Sequence, residues 1–199
     1  MSDRPRLDTH RLRLRPFLES DAPRVRELAG AYEVALNTLS VPHPYPEGAA
    51  EAWIATHEAL AATGHHPTAV TLLATGELVG VVGLHATDAP DDLELGYWIG
   101  VPYWGNGYAT EAARAMIDWA FTSRPELERI HAHHFARNPA SGGVLRKCGM
   151  RYLDTVADAV EKWGEMQDVN RYEILRSDWA ALRDGAARGV AMVPAGGGG

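Results

Sequence analysis

A glycine-containing run, Trp104-Gly105-Asn106-Gly107-Tyr108-Ala109, has the residue types of an anion site. The preceding residues, Leu93–Val101, alternate and are rich in β-branched and aromatic side chains, which predicts a strand that Pro102 ends. After Gly107 the small and apolar residues recur three and four positions apart, which predicts a helix. Such a turn directs free backbone N–H groups and the positive end of the helix dipole at one point. The sequence therefore predicts a phosphate-binding turn.

The type of phosphate ligand is narrowed by what this run lacks. A nucleoside-triphosphate loop needs Gly-Lys-Ser/Thr, and no lysine follows these glycines. A dinucleotide fingerprint needs a third glycine at the position of Thr110. Two glycines alone would also fit an ordinary strand–turn–helix without a ligand, so the interpretation depends on a second motif.

That second motif is Asn138–Met150, NPASGGVLRKCGM, which the spacing predicts as a short helix ended by Gly149. Asn138 can hydrogen-bond the amides of a ligand through both its carbonyl and its NH₂ group. It can also cap the helix that follows, and the two roles are compatible if the side chain is shared.

Both motifs together resemble those of the GNAT N-acetyltransferase superfamily: Gln/Arg-x-x-Gly-x-Gly/Ala, which binds the acetyl-CoA pyrophosphate, and Asn-x-x-Ser…Lys-x-Gly-Phe. Trp104 replaces the Gln/Arg, a departure typical of the ribosomal-protein N-acetyltransferase branch (RimJ/RimL type). That branch often has Gly-Tyr-Trp before the turn and Gly-Tyr-Ala-Thr-Glu-Ala after it, and both stand in this chain. The resemblance covers nearly the whole chain.

The resemblance implies acetyl-CoA as cofactor, with CoA as product, and it implies a set of cofactor-binding residues. Arg146 and Lys147 would contact the CoA 3′-phosphate, although exposed helix charges without a specific contact are an equal alternative. A backbone N–H near Ile99–Val101 would hold the developing oxyanion. The full set is Ile99, Val101, Trp104, Gly105, Asn106, Gly107, Tyr108, Ala109, Thr110, Asn138, Ser141, Arg146 and Lys147.

The expected reaction requires a neutral amine, because only the unprotonated form attacks a thioester. Family members often carry a glutamate on the strand before the turn, acting through water, and Glu94 stands there. The alternative interpretation of Glu94 is a polar residue on the solvated face of the strand. Many members also carry a general-acid tyrosine where this chain has Leu145. Ser141 is therefore the candidate to protonate the leaving thiolate.

Other reactive residues are weaker candidates. His131 and His133 share a strand face but His134 points away, and no cysteine or nearby acid completes a set, so we expect no metal site. Cys148 is the sole cysteine and is expected to pack in the interior rather than to carry an acyl group. His57 is expected to be a half-buried helix histidine, and Arg11 to lie on the solvated face of the first strand.

The elements that position these residues predict an α/β (α+β) architecture. Strands are expected at Arg11–Phe17, Thr68–Ala74, Glu77–Thr87, Leu93–Val101, Arg129–Ala136, Arg151–Val160 and Gln167–Leu175. Helices are expected at Ser20–Ala31, Gly48–Thr63, Gly107 to about Ser123, and Asn138–Cys148, with a short final helix from Ser177. The order is that of the GNAT fold, a mixed and mostly antiparallel sheet of six to seven strands with helices on both faces. Its parallel pair, Leu93–Val101 with Arg129–Ala136, would be splayed around acetyl-CoA.

Composition fits one domain, expected over residues 1–183, followed by a flexible Ala/Gly-rich tail over 184–199. The 199 residues are 46% hydrophobic and carry a net charge of −7, which argues against nucleic acid and mildly favours cationic substrates. No apolar run approaches membrane-spanning length and no signal peptide is evident, so we expect a cytoplasmic protein without membrane contact. Monomer and homodimer are both compatible with the sequence.

The acceptor amine is left open between two classes. The branch resemblance favours a protein N-terminus. A small amine, such as an antibiotic or a polyamine, is the alternative, supported by acids near the last hairpin: Asp154, Asp158, Glu161, Glu165 and Asp168. A CoA-binding module without turnover is an alternative from another class of protein.

Overall fold

The computed structural model describes residues 4–191, and for residues 186–191 it describes the backbone alone. The part of the chain so described contains one eight-stranded sheet with the spatial order β1-β2-β3-β4-β5-β6-β8-β7. The strands are β1 (Leu7–Asp8), β2 (Leu12–Arg15), β3 (His66–Leu72), β4 (Leu78–Ala86), β5 (Asp92–Ile99), β6 (Arg129–Phe135), β7 (Arg151–Lys162) and β8 (Glu165–Leu175). The sequence predicts six to seven strands. The additional one is β1, a two-residue strand that pairs with β2.

The helices are α1 (Ala22–Ala29), α2 (Tyr32–Leu36), α3 (Ala49–Ala55), α4 (His57–Ala62), α5 (Tyr108–Ser123), α6 (Pro139–Lys147) and α7 (Arg176–Ala191). The predicted helix Gly48–Thr63 is divided at Thr56 into α3 and α4. The last helix is longer than predicted and extends into the Ala/Gly-rich segment. Residues 192–199 of the predicted tail lie outside the described residues.

The topology is that expected of a mixed sheet. β3, β4 and β5 form an antiparallel meander, and α5 connects β5 to β6, which pair in parallel as predicted. That parallel pairing covers only Asp92–Glu94 against Arg129–His131. Beyond this point β6 stays paired with β8 as far as Phe135, while β5 follows β4 to Ile99. The two strands therefore diverge, and a gap opens within the sheet.

Helices cover both faces of the sheet. On one face, α5 packs Met116 and other apolar side chains against Leu95 and Ile99 of β5 in the main core. On the other face, Val25 of α1 and Ile54 of α3 pack against Val81 of β4 in a second cluster. Because successive strand residues point to opposite faces, Leu95 and Tyr97 lie towards α5 while Glu94, Gly96 and Trp98 lie towards α1 and α3.

Candidate active site

The divergence of β5 and β6 creates two cavities that meet at the gap in the sheet. One has a volume of about 370 Å³ and lies beside the glycine turn and α6. The other has a volume of about 550 Å³ and lies on the side of α1 and α3. The two share five lining residues: Asn37, Thr38, Tyr97, Trp98 and Ser141. A group transferred between molecules in the two cavities would pass beside Tyr97 and Ser141.

The smaller cavity contains most of the predicted cofactor-binding residues. The structure brings ten of the predicted set to its wall: Ile99, Trp104, Gly105, Gly107, Tyr108, Ala109, Thr110, Asn138, Ser141 and Lys147. Val101, Asn106 and Arg146 are not among the lining residues. Asn106 donates to the carbonyl oxygens of Tyr103 and Trp104 within the turn, and Arg146 donates to Tyr172 Oη at 2.9 Å.

The turn before α5 has the backbone that an anion site requires. Gly105 and Gly107 have φ of +78° and +79°, a region that glycine occupies without steric cost. Among the described residues nothing lies within 4 Å of the position that a Cβ at Gly105 would take, so a ligand can approach the backbone there. Gly107 is the N-cap of α5, whose 16 residues direct their dipole at the same point.

Arg11 holds this turn in place, which the sequence analysis missed. Its Nη1 donates to the backbone oxygen of Asn106 at 2.9 Å, and its Nε donates to Glu111 Oε2 at 2.7 Å. The guanidinium also lies over the ring of Tyr108. Strand alternation correctly places Arg11 on an outer face, but it gives no signal that the turn of a distant helix packs there.

Asn138 is the N-cap of α6, as one of its two predicted roles requires. Its Oδ1 accepts a hydrogen bond from the backbone N–H of Ser141 at 3.4 Å, which is the N-capping role. The same residue lines the smaller cavity, and its predicted contact with the amides of a ligand stays a prediction.

Tyr97 forms a hydrogen-bonded pair with Ser141, the predicted acid. The two hydroxyl oxygens are 2.8 Å apart, and the phenol lies 3.0 Å from the backbone oxygen of Ser141. Burial raises the pKa of Tyr97 well above its ordinary value, so the phenol stays protonated and can donate. The sequence analysis missed Tyr97 because an aromatic residue in an alternating strand is typical of a core position.

Glu94 lies in the larger cavity, where it contacts a histidine. Its Oε1 is 2.9 Å from Nδ1 of His133. This hydrogen bond lowers the pKa of Glu94 and raises that of His133, because each partner stabilises the charged form of the other. His85 lies opposite Glu94 in the register of β4 and β5, and burial lowers its pKa. The site is therefore a carboxylate bordered by two imidazoles. In the sequence analysis, metal binding was the only role considered for His133.

The other reactive residues considered in the sequence analysis have structural contacts: His131, His134 and Cys148. His131 Nδ1 lies 3.0 Å from Asp92 Oδ1, and His134 is buried on the opposite face with Nδ1 2.8 Å from Phe135 O. Within residues 4–191 no group of three or more histidine, cysteine, aspartate or glutamate side chains could hold a metal ion. Cys148 is buried, and this burial raises the pKa of its thiol to about 11.

A loop between α2 and α3 borders the larger cavity with Leu39 and Val41. The ammonium group of Lys162, on β7, donates to the backbone oxygens of Leu39 and Val41 at 3.1 and 2.9 Å. Lys162 is only 6% exposed, and this burial lowers its pKa. The last hairpin thus anchors the loop that closes one side of the cavity.

The hairpin acids considered for a polyamine site do not meet in this cavity. Asp154 pairs with Arg171 at 2.6 Å, and Asp168 accepts a hydrogen bond from the backbone N–H of Asp158. Of the residues that the structure describes, those lining the two cavities include none of the five hairpin acids.

Comparison with known proteins agrees with this geometry. Residues 11–151 match the acetyltransferase (GNAT) domain family, and the chain belongs to that family. The predicted superfamily is thereby confirmed, and proteins of the ribosomal-protein branch are among the matches. The chain therefore contains a GNAT acetyltransferase domain.

Three of these matches show how similar the chain is to known acetyltransferases. The chain is 31% identical over 107 residues to the uncharacterised N-acetyltransferase p20 of Bacillus licheniformis, covering 53% of this chain and 60% of p20. A GNAT-family acetyltransferase structure from Bacillus anthracis has a TM-score of 0.78 and 25% identity, covering 87% of this chain and 99% of that one. The structure of RimL, the ribosomal L7/L12 α-N-protein acetyltransferase in complex with coenzyme A, has a TM-score of 0.74 and 19% identity, covering 84% of this chain and 95% of that one.

The curated relatives are matched over part of their length. The chain spans 51% and 60% of two of them.

In the described part of this chain, no helix combines the length and apolar character that a membrane span requires.

Proposed function

We propose that this protein transfers the acetyl group of acetyl-CoA to a primary amine by direct attack within a ternary complex. One observation carries the proposal: the two cavities meet at Tyr97 and Ser141, with the Glu94–His133 pair on the amine side. A hydroxyl pair that can donate and a carboxylate–imidazole pair that can accept are the two proton-transfer functions that amide formation from a thioester requires.

The smaller cavity fits acetyl-CoA. The open backbone at Gly105 and the N-terminus of α5 suit a pyrophosphate, and Asn138 on the opposite wall suits the pantetheine amides. Lys147 lines the same cavity and would meet a phosphate of the nucleotide. When bound, acetyl-CoA supplies an activated acetyl group as a thioester.

On the amine side, Glu94 and His133 receive the proton that the acceptor must lose. An α-amino group has a pKa of about 8 and a lysine amine about 10.4, so most acceptor molecules arrive protonated at neutral pH. Glu94 is ionised because its pKa is lowered, and it attracts the ammonium group. The neutral form of His133 then accepts the proton, directly or through water.

On the thioester side, Ser141 and Tyr97 donate to the departing sulfur. Either hydroxyl can donate in their 2.8 Å contact, so a proton that Ser141 gives to the sulfur can be replaced from Tyr97, which is then reprotonated from solvent. Backbone N–H groups near Ile99–Val101, at the end of β5, would stabilise negative charge on the acetyl oxygen.

For the acceptor, a protein N-terminal amine is supported by the ribosomal-protein branch and by the similarity to RimL, whose substrate is a ribosomal protein. A small amine is supported by the loop that Lys162 holds beside the larger cavity. A cytoplasmic location, a monomer or homodimer, and a single domain over residues 1–183 stay predictions from the sequence.

An acceptor screen with mass detection tests this function. The purified protein and acetyl-CoA are incubated with N-terminal peptides, small amines and polyamines. We expect an acetylated amine and release of CoA, with initial-rate lines that intersect. A protein that binds CoA but acetylates no amine would be a CoA-binding module, and the proposal would be wrong.

A further inference from the structure

Two glycines form the centre of the floor of the larger cavity, and the tip of the His85 ring lies against both of them. Gly96 of β5 pairs directly with Gly83 of β4, between the Glu94–His85 pair and the Trp98–Val81 pair on the same face. The backbone of Gly96 does not have the positive φ that demands glycine, and a Cβ there would meet only the ring of His85, at 3.5 Å and beyond. Glycine at this position therefore provides space over the floor rather than a special conformation.

The cavity has one polar and one apolar end. Glu94, His85 and His133 form the polar end. Four residues further along β5, at a distance of about 13 Å in a strand, Trp98 packs among apolar side chains. Val41, Tyr45 and Trp53 belong to that cluster and also line the cavity.

We propose that the acceptor is a primary amine carrying an aromatic or similarly bulky apolar group. Its ammonium group lies at Glu94 and His133, and its apolar body crosses the glycine floor to meet Trp98. This inference rests on the proposed function and names the acceptor chemistry for the same site. A polyamine is disfavoured, because its second cationic group would be transferred from water to a wall of aromatic side chains.

The same chemistry has two sources, a free aromatic amine or a polypeptide whose first residue is aromatic. The rate of acetylation is therefore measured with tryptamine, with spermidine, and with three peptides that differ only in a first residue of Phe, Ser or Ala. We expect kcat/KM for tryptamine or for the Phe peptide to exceed that for spermidine and the Ser and Ala peptides by about tenfold or more. The ratio between tryptamine and the Phe peptide distinguishes the two sources.

Gly96→Ala and Gly96→Val test the floor. The alanine variant fits the backbone without a clash, and the valine variant fills more of the cavity. We expect kcat/KM for tryptamine to fall progressively, by about tenfold or more in the valine variant, with the KM for acetyl-CoA unchanged. Acetylation of the small amine glycinamide should fall much less. Gly185→Ala on α7, where the described residues leave the added methyl group free of contacts, is the matched control and should retain all rates.

A calorimetric titration of tryptamine into the CoA-loaded protein distinguishes a failure of the inferred acceptor chemistry from a failure of the proposed acetyl transfer. If tryptamine binds and Gly96→Val weakens that binding, the cavity recognises an aromatic amine as inferred, even where no amine is acetylated and the proposed function fails. If spermidine or the Ser or Ala peptide is the preferred substrate, the proposed function holds and the inference is wrong. An equal effect of Gly96→Val on tryptamine and glycinamide, or no binding of tryptamine, would also overturn it.

Discussion

The phenolic oxygen of Tyr97 lies 2.8 Å from the hydroxyl oxygen of Ser141, at the point where the two cavities meet. Tyr97 comes from a strand and Ser141 from the first turn of α6, so the contact joins the two sides of the gap between β5 and β6. In the proposed reaction this pair would supply the proton donor, because Leu145 stands where many family members have a tyrosine.

Removing either hydroxyl should slow the transfer. We expect Tyr97→Phe and Ser141→Ala each to lower kcat by about tenfold or more, with little dependence on pH and with CoA affinity retained. Because the two groups act through one hydrogen bond, the double variant should be little worse than the poorer single variant. Steady-state rates of all four proteins provide the comparison. Fully additive losses would show that the two hydroxyls act independently.

Replacing Glu94 should alter both the rate and the titration of its neighbour. Glu94→Gln keeps the shape of the side chain but has no negative charge to attract the ammonium group or to hold the pKa of His133 above its ordinary value. We expect kcat/KM to fall on the order of a hundredfold near neutral pH, and the deficit to shrink as pH approaches the amine pKa. A variant as active as the parent at every pH would place the base elsewhere.

The raised pKa of His133 provides a second measurement on the Glu94→Gln variant. His133 binds its proton more tightly in the folded parent, so the pair stabilises the fold while His133 is protonated and Glu94 is ionised. That contribution is lost as pH rises through the folded pKa of His133 and as pH falls through the lowered pKa of Glu94. NMR titration of His133 should therefore show a lower pKa in Glu94→Gln than in the parent. An unchanged pKa would mean that the hydrogen bond in the structure does not control this imidazole.

The glycine turn can be tested with a matched pair of variants. Gly107→Val should weaken the binding of CoA, because a side chain at the N-cap of α5 obstructs the approach of a pyrophosphate. Gly48 also has a positive φ, +73°, and is the N-cap of α3, outside the cofactor cavity. Gly48→Val therefore introduces a similar backbone strain and should leave CoA affinity unchanged. Calorimetry on both variants checks this, and equal affinities would remove the turn from the cofactor site.

Direct attack predicts that Cys148 is dispensable. Burial raises the pKa of its thiol to about 11, so almost no thiolate is present at neutral pH, and its Sγ lies 3.7 Å from the backbone oxygen of Thr110. We expect Cys148→Ala to retain activity, and no acetylated enzyme to accumulate when acetyl-CoA is added without an amine. Mass spectrometry of the intact protein is the measurement, and an acetyl group found on Cys148 would contradict the proposed order of events.

His57 should make the folded protein sensitive to acid. It is 2% exposed, in contact with Trp53 and Phe17, and this burial lowers its pKa from 6.5 to about 4. The unfolded chain takes up a proton below about pH 6.5 but the folded chain does not until about pH 4, so the free energy of unfolding falls as pH drops through this window, by about 3 kcal/mol. Urea unfolding across this range should show a weaker pH dependence in His57→Phe than in the parent. His10→Phe, at an exposed position, is the control and should keep the parent's slope.

Most of the residues that line the smaller cavity could be predicted from the sequence because their signals are local. The glycines of Gly105–Gly107, the N-cap Asn138 and the change from strand to helix periodicity are each encoded within a few residues, where backbone conformation depends on the neighbours in the chain. The same local signals placed Glu94 on the strand that enters the site.

The pairing of side chains was decided by the tertiary structure. Tyr97 and Ser141 are 44 residues apart in the chain, and their contact depends on where β5 stops pairing with β6. The same divergence brings His133 to Glu94 and leaves the glycine floor open beside Trp98. Periodicity fixes which face a side chain occupies, but the distance between two side chains depends on strand register and on helices packed from remote parts of the chain. The sequence therefore determined the fold and the glycine turn before α5, and only the folded sheet determined the Tyr97–Ser141 pair, the Glu94–His133 pair and the shape of the larger cavity.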